Sequence, residues 1–245
     1  MLRKIAAFTL AMAVPAMAQV EDGPGPNLVI EIAGEANGRV VIDLAAESAP
    51  KHVAQIVALA KEGAYDGVVF HRVIEGFMAQ TGDVQFGKPE TLKATIEAMP
   101  KGQAEGTVLH DGMEIPVQYI GPGMGGSHLP DIEAEFGPTP FVAGVVGMAR
   151  SQDPNSANSQ FFIMFAEAPS LNNQYTVVGR VIEGMDVVSK IKRGAGEANG
   201  AVAENPDVMV KVTVEGEAAA APAPATEEEA PGENPPQDPV DAPAQ

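Results

Sequence analysis

The apolar stretches of this chain are short, rich in β-branched residues and separated by glycine or proline. Leu28–Ile32 and Arg39–Leu44 are two such runs, and the glycine-bounded turn between them predicts a hairpin. A proline opens the segment 51–61, where apolar residues recur with helical spacing, and a second helix is predicted over Met185–Lys192. The pattern favours a mainly β fold, a closed antiparallel sheet accompanied by two helices.

Two sequence blocks carry most of the functional information. Residues 70–83 read Phe-His-Arg-Val-Ile-Glu-Gly-Phe-Met-Ala-Gln-Thr-Gly-Asp, and residues 158–163 read Asn-Ser-Gln-Phe-Phe-Ile. They place one arginine, Arg72, beside apolar and amide side chains. Both blocks resemble signature segments of the cyclophilins, the peptidyl-prolyl cis/trans isomerases, and so do residues 144–150 and 177–185.

The resemblance extends over most of residues 28–192. It implies a closed eight-stranded antiparallel barrel capped by two α-helices. It also implies isomerisation of Xaa-Pro bonds in unfolded or flexible polypeptides, without a cofactor or a metal ion. Arg72 is the implied catalytic residue. The implied substrate-binding residues are Phe77, Met78, Gln80, Ala149, Arg150, Gln160, Phe162, Leu171 and Tyr175.

The resemblance also distributes roles among these residues. It assigns hydrogen bonds with the peptide backbone to Gln80 and Gln160, and strand-like pairing with the peptide to the main chain at Ala149 and Arg150. Phe161 and Phe162 must face opposite sides of a strand, so one lines a groove and the other fills the barrel. The family motif assigns Phe162 to the groove.

Some positions depart from the pattern of many eukaryotic cyclophilins. Ser170 stands where they have a tryptophan, which thins one wall of the proline pocket. Tyr175 stands where they have a histidine, and Arg150 where an asparagine is frequent. Both of the latter features are common in bacterial members.

The chain divides into segments of different composition. Residues 1–18 have the basic start, apolar run and Ala-x-Ala site of a secretory signal peptide. A short lead, 19–27, precedes the predicted isomerase domain, 28–214. Within that domain, 87–120 is predicted to be an insertion with a short helix and a hairpin. Residues 215–245 are rich in alanine, proline and acidic residues, which predicts a disordered tail.

Composition excludes several classes of function. The formal net charge of −18 disfavours contact with nucleic acid or anionic lipid. The absence of cysteine excludes disulfides and thiol nucleophiles. A cleaved signal without any further membrane segment predicts an exported protein in a bacterial periplasm. We expect this protein to be a monomer.

Other readings compete with the isomerase. Residues 121–126 match GxGxxG, but Pro130 follows where a dinucleotide-binding helix should begin. His71 and Asp83 could serve a hydrolase, yet no GxSxG motif accompanies them. The four histidines lack metal-ligand spacing. The strongest alternative is a chaperone module that binds proline-containing segments without isomerising them.

Overall fold

The computed structural model describes residues 22–90, 92–93, 107–110, 113–116 and 121–216. The predicted signal peptide, nearly all of the predicted tail and much of the predicted insertion lie outside these ranges. The strands are β1 (Asn27–Ala33), β2 (Gly38–Leu44), β3 (Val68–Val69), β4 (Arg72–Ile74), β5 (Met78–Thr81), β6 (Thr107–His110), β7 (Met113–Pro116), β8 (Val145–Met148), β9 (Phe161–Met164), β10 (Val177–Glu183) and β11 (Val208–Glu215). The helices are α1 (Pro50–Lys61) and α2 (Met185–Val188), with 3₁₀ turns at Pro169–Leu171 and Gly196–Ala198.

One antiparallel sheet of nine strands dominates the described part of the chain. Its strand order is β3-β11-β1-β2-β10-β8-β9-β5-β4. The predicted hairpin of β1 and β2 is confirmed, with Ile30 opposite Val40. On its other side β1 pairs with β11, and Asn27 lies opposite Glu215. The mainly β class is therefore confirmed.

The expectation of a closed eight-stranded barrel needs correction. β3 and β4 stand at opposite ends of the strand order, yet only Phe70 and His71 separate them in sequence, so the sheet curls round as a half-barrel. The pairing of strands is interrupted at Phe70 and His71. The Phe70 N–H donates to Asp207 O at 2.9 Å, and the Val202 N–H donates to His71 O at 3.0 Å. The link satisfies its backbone with residues 202–207, which divides one strand into two.

Helix α1 covers one side of the sheet. Its first residue is Pro50, which suits a position whose N–H needs no helical partner. The N-cap residue Ala49 offers no side-chain cap. Instead the carboxylate of Glu135 accepts the N–H groups of Lys51 and His52, each at 3.1 Å. The predicted apolar face is confirmed by the buried residues His52, Val53, Ile56, Val57, Leu59 and Ala60.

Helix α2 is shorter than the predicted Met185–Lys192. It ends at Val188. The Lys192 N–H donates to the buried Asp207 carboxylate at 2.6 Å rather than to a helical carbonyl. Asp207 also accepts the Ala36 N–H at 2.8 Å, so one buried carboxylate fixes two distant backbone segments.

The space inside the curled sheet is filled by apolar side chains, which we call the interior cluster. Its largest fully buried members are Leu28, Ile30, Ile42, Leu44, Ile56, Leu59, Tyr65, Phe70, Met148 and Phe161. They come from the sheet, from α1 and from the segment that follows α1. Burial of this kind supplies most of the free energy that holds such a fold together.

β6 and β7 form a separate antiparallel pair, with Thr107 opposite Pro116. The hairpin predicted within residues 87–120 is therefore confirmed. Residues 89–90 and 92–93 are helical, in agreement with the short helix predicted there. Across the described ranges, no helix combines the length and apolarity needed to cross a bilayer.

Candidate active site

A second apolar cluster, separate from the interior cluster, lies on the outer face of β5, β8 and β9. We call it the groove cluster. Its buried members are Met78, Phe141, Val145, Phe162, Met164 and Ala168, and its partly buried members are Ile74, Phe77, Ala149, Leu171, Tyr175 and Val177. Every apolar or aromatic residue predicted to bind substrate belongs to it. The structure thus gathers residues that lie up to 98 positions apart in the sequence.

Phe161 and Phe162 divide between the two clusters as predicted. Phe161 meets the ring of Tyr65 edge-on inside the sheet, with centroids 5.8 Å apart. Phe162 stacks on Phe141 at 5.8 Å, with 25° between the planes. It also meets Tyr175 edge-on at 5.8 Å. Both arrangements are favourable for aromatic quadrupoles, so the groove has an ordered aromatic floor.

Arg72 stands at the edge of this floor. It lies directly opposite Gln80 on the neighbouring strand, and Gln80 lies opposite Phe162 on the next. Directly opposite residues share a face of the sheet at about 5 Å per step. Arg72, Gln80 and Phe162 therefore form one row across three strands, from the charged group to the aromatic floor.

The guanidinium of Arg72 is held by neutral oxygens. Its Nη1 donates to Gln80 Oε1 at 3.1 Å. Its Nε donates to Asn199 O and its Nη2 to Asn199 Oδ1, each at 3.0 Å. Partial burial lowers the pKa of Arg72 from its ordinary value, yet a guanidinium with so high a starting pKa stays protonated at neutral pH. None of these partners neutralises its charge.

A relay of amide groups continues from Arg72. Gln80 Nε2 donates to Gln160 Oε1 at 3.0 Å. Gln160 Nε2 in turn donates to Gly123 O at 3.1 Å and Gly125 O at 2.7 Å. The two glutamines predicted to bind a peptide are thus oriented by one another and by the glycine turn. Gln80 Nε2 has a second N–H group that a peptide carbonyl can accept. The contact between Gln80 and a peptide stays a prediction.

The glycine turn is anchored by a buried carboxylate. Asp83 is fully buried, and its Oδ2 accepts the N–H groups of Gly123 at 2.7 Å and Gly125 at 2.9 Å. Its Oδ1 accepts the N–H groups of Gln85 and Phe86. Because four backbone donors occupy it, Asp83 serves as a structural anchor and not as a partner of His71 in hydrolysis. No helix follows the turn in residues 121–131, as a dinucleotide site would require.

The predicted pairing of a peptide with the main chain at Ala149 and Arg150 stays a prediction. The Ala149 N–H already donates to Gln160 O at 2.9 Å, so it is not free to pair with a peptide. The guanidinium of Arg150 lies over the ring of Tyr175, with its central carbon 4.6 Å from the centroid. It also donates from Nη2 to Gln174 O at 2.8 Å. The side chain thus braces one wall of the groove.

A cavity of about 550 Å³ opens beside the glutamine relay. It extends from Gln80 and the glycine turn to Ala149–Ser151. The groove cluster and this cavity are neighbours, since Ala149 belongs to both. Leu171 ends a 3₁₀ turn at the other side of the groove and is partly buried there.

Two residues of the site were missed by sequence reasoning. Phe141 lies in a loop, where Asn172 Oδ1 accepts its N–H at 2.9 Å. Asn199 lies 127 positions from Arg72. The Asn-Gly pair at 199–200 signals a turn but gives no indication that the turn faces an arginine.

Comparisons with known proteins agree on one family. The family described as cyclophilin type peptidyl-prolyl cis-trans isomerase/CLD matches residues 28–214. A probable peptidyl-prolyl cis-trans isomerase of Brucella suis is 55% identical over 179 residues, which are 73% of this chain and 79% of that protein. A peptidyl-prolyl cis-trans isomerase of Helicobacter pylori is 33% identical over 159 residues, 64% of this chain and 76% of that one.

Solved structures resemble the fold. The cyclophilin AquaCyp293 from Hirschia baltica has a TM-score of 0.51 and 29% identity, covering 78% of this chain and 74% of that chain. A Cryptosporidium parvum cyclophilin-type isomerase, solved in the presence of the dipeptide Ala-Pro, has a TM-score of 0.53 and 20% identity. It covers 78% of this chain and 99% of that chain.

Proposed function

The chain belongs to the cyclophilin family of peptidyl-prolyl cis-trans isomerases, and we propose that Arg72 is the group that accelerates rotation of the Xaa-Pro bond. In this proposal the proline ring rests on the groove cluster while the guanidinium donates to the twisting amide. The supporting observation is the row of Arg72, Gln80 and Phe162 across adjacent strands. It sets a fixed cation beside an apolar floor.

The physical requirement is a preference for the twisted amide. Rotation must overcome a barrier of about 18–20 kcal/mol, because planarity is maintained by resonance. A rate increase of about 10⁵ requires roughly 7 kcal/mol of transition-state stabilisation. As the bond twists, the lone pair returns to the nitrogen, which becomes a hydrogen-bond acceptor. A donor fixed at that place stabilises the twisted state more than either planar state.

Arg72 meets this requirement because its guanidinium is already held in place by hydrogen bonds. Its partners are neutral oxygens of Asn199 and Gln80, so its charge remains available to a substrate. Its guanidinium never has to release a proton. Such preorganised donors are effective because they pay no cost of reorientation during the reaction.

The groove and the neighbouring cavity suggest how a peptide lies. The proline occupies the floor formed by Phe77, Met78, Phe162 and Leu171, and the preceding residues run past the glutamine relay toward the cavity. The closed side of the groove is Tyr175 with Arg150 over it. The substrates are then extended, proline-containing segments of unfolded or flexible polypeptides.

The location of the enzyme is part of the proposal. Residues 1–18 have the pattern of a secretory signal, so we infer that the clients are exported proteins that fold in a bacterial periplasm. A slow Xaa-Pro step limits the folding of many chains. An isomerase in that compartment would shorten it.

The decisive experiment is Arg72→Ala in an isomerisation assay on a short Xaa-Pro peptide. Loss of a transition-state donor commonly lowers the rate by about a hundredfold or more, and we expect a fall of that size in kcat/KM. Arg180→Ala is the matched control, because Arg180 is an exposed arginine on β10. Normal activity of Arg72→Ala would exclude the proposed role. A wild-type protein that bound the peptide without isomerising it would favour the chaperone alternative.

A further inference from the structure

We infer that Asn199 is a positioning residue for the isomerase reaction, which holds one edge of the Arg72 guanidinium so that a single pair of N–H groups faces the substrate. The inference rests on the proposed role of Arg72. Asn199 belongs to the turn that follows the 3₁₀ segment Gly196–Ala198. Neither sequence block contains it.

Counting the donors of Arg72 gives the reason. A guanidinium carries five N–H groups: one on Nε and two on each Nη. Asn199 accepts the Nε group with its backbone oxygen and one Nη2 group with its side-chain oxygen. Gln80 accepts one Nη1 group. One N–H on Nη1 and one on Nη2 remain, which is the pair that a twisted amide needs for its nitrogen and the preceding carbonyl.

The turn that carries Asn199 is fastened to the strand that carries Arg72. The Val73 N–H donates to Gly200 O at 2.7 Å, and Arg72 forms a bridge with Ala201. A Cβ atom on Gly200 would lie 2.4 Å from the Ile74 side chain, so the two segments are in close contact. The amide oxygen of Asn199 is therefore held at a fixed height above β4.

The backbone of Asn199 makes a clean substitution available. Its φ of 53° lies in the left-handed region, which asparagine tolerates and glycine adopts without strain. Asn199→Gly should keep the turn and the backbone oxygen that binds Nε, while it removes the oxygen that binds Nη2. The guanidinium then keeps its contacts with the backbone oxygen of residue 199 and with Gln80, but Nη2 loses its acceptor and is held less tightly.

A matched control exists in the same region. Asn205 has a φ of 45° and an exposed side chain. Asn205→Gly changes the same atoms in the same backbone conformation, away from the contacts of Arg72. Equal thermal midpoints of the two variants would exclude a general effect on folding.

The test measures kcat and KM for Asn199→Gly on an Xaa-Pro peptide. We expect kcat to fall about tenfold with KM nearly unchanged. The reason is that Asn199 positions N–H groups of Arg72 that bind the amide only when it twists. We also expect the NMR signals of the Arg72 Nη2–H groups to broaden or to exchange faster with water, because Nη2 loses its acceptor. Wild-type kcat in Asn199→Gly would overturn the inference, and so would an equal fall in Asn205→Gly.

A double-mutant cycle separates this inference from the proposed role of Arg72. In the Arg72→Ala background, Asn199→Gly should cause no further loss, because its effect passes through the guanidinium. If Arg72→Ala is inactive while Asn199→Gly is fully active, the role of Arg72 stands and that of Asn199 does not. If Asn199→Gly lowers the rate equally with and without Arg72, the positioning role is wrong.

Discussion

The interior cluster and the groove cluster are built from the same kinds of side chain, but they differ in how completely folding buries them. Half of the groove members are only partly buried, against about one fifth of the interior members. The interior therefore gains nearly all of its hydrophobic free energy when the chain folds. The groove retains apolar surface that a bound ligand can still cover. Stability therefore resides mainly in the interior cluster, and the proposed binding of substrate in the groove cluster.

The largest expected effect separates Phe161 from Phe162. Phe161→Ala should lower the free energy of unfolding by about 3–5 kcal/mol, as core phenylalanine deletions do. Phe162→Ala should cost less stability, because solvent and neighbouring rings can fill the open groove, but it should lower kcat/KM. Urea unfolding and the peptide assay measure the two effects. Equal losses of stability in both variants would contradict the conclusion that the interior cluster contributes more to stability than the groove cluster.

A second effect concerns His71, which belongs to neither cluster although it is only 7% exposed. Burial lowers the pKa of His71 to about 4, against an opposing effect of Asp83. The unfolded chain binds a proton near pH 6.5 and the folded chain does not, so stability is lost as pH falls from about 6.5 to about 4. The full difference is about 3 kcal/mol.

Urea unfolding between pH 7 and 4.5 checks this prediction. His71→Gln should reduce the pH dependence in that range, since glutamine cannot take up a proton, while His52, whose pKa burial also lowers, still contributes. His128→Gln is the control, because the side chain of His128 is 66% exposed. An unchanged slope in His71→Gln would show that buried groups other than His71 cause the loss of stability.

The smallest expected effect is that of pH on the reaction itself. No group in the proposed mechanism gains or loses a proton, and Arg72 stays charged. The rate constant kcat/KM should therefore be nearly flat between about pH 6 and 8. A bell-shaped profile centred in this range would indicate acid–base chemistry. The groove would then contain a group that gains or loses a proton during the reaction, in addition to Arg72.

The sequence predicted those parts of the site that depend on local order. The alternation of Phe161 and Phe162 follows from strand geometry alone, and the apolar face of α1 follows from its helical spacing. The contact between Asn199 and Arg72 could not be predicted, because it depends on how a distant turn packs against β4. The break at Phe70–His71 is of the same kind, since its partners lie more than 130 positions away.

The opposition of Asn27 and Glu215 brings the first residue of β1 and the last residue of β11 together. Neither β1 nor β11 contributes a side chain to the groove cluster. A short peptide could join the two ends, and the ring could be reopened at an exposed loop to give a circular permutant. The same adjacency would let the segment from β1 to β11 be inserted into a surface loop of a host protein.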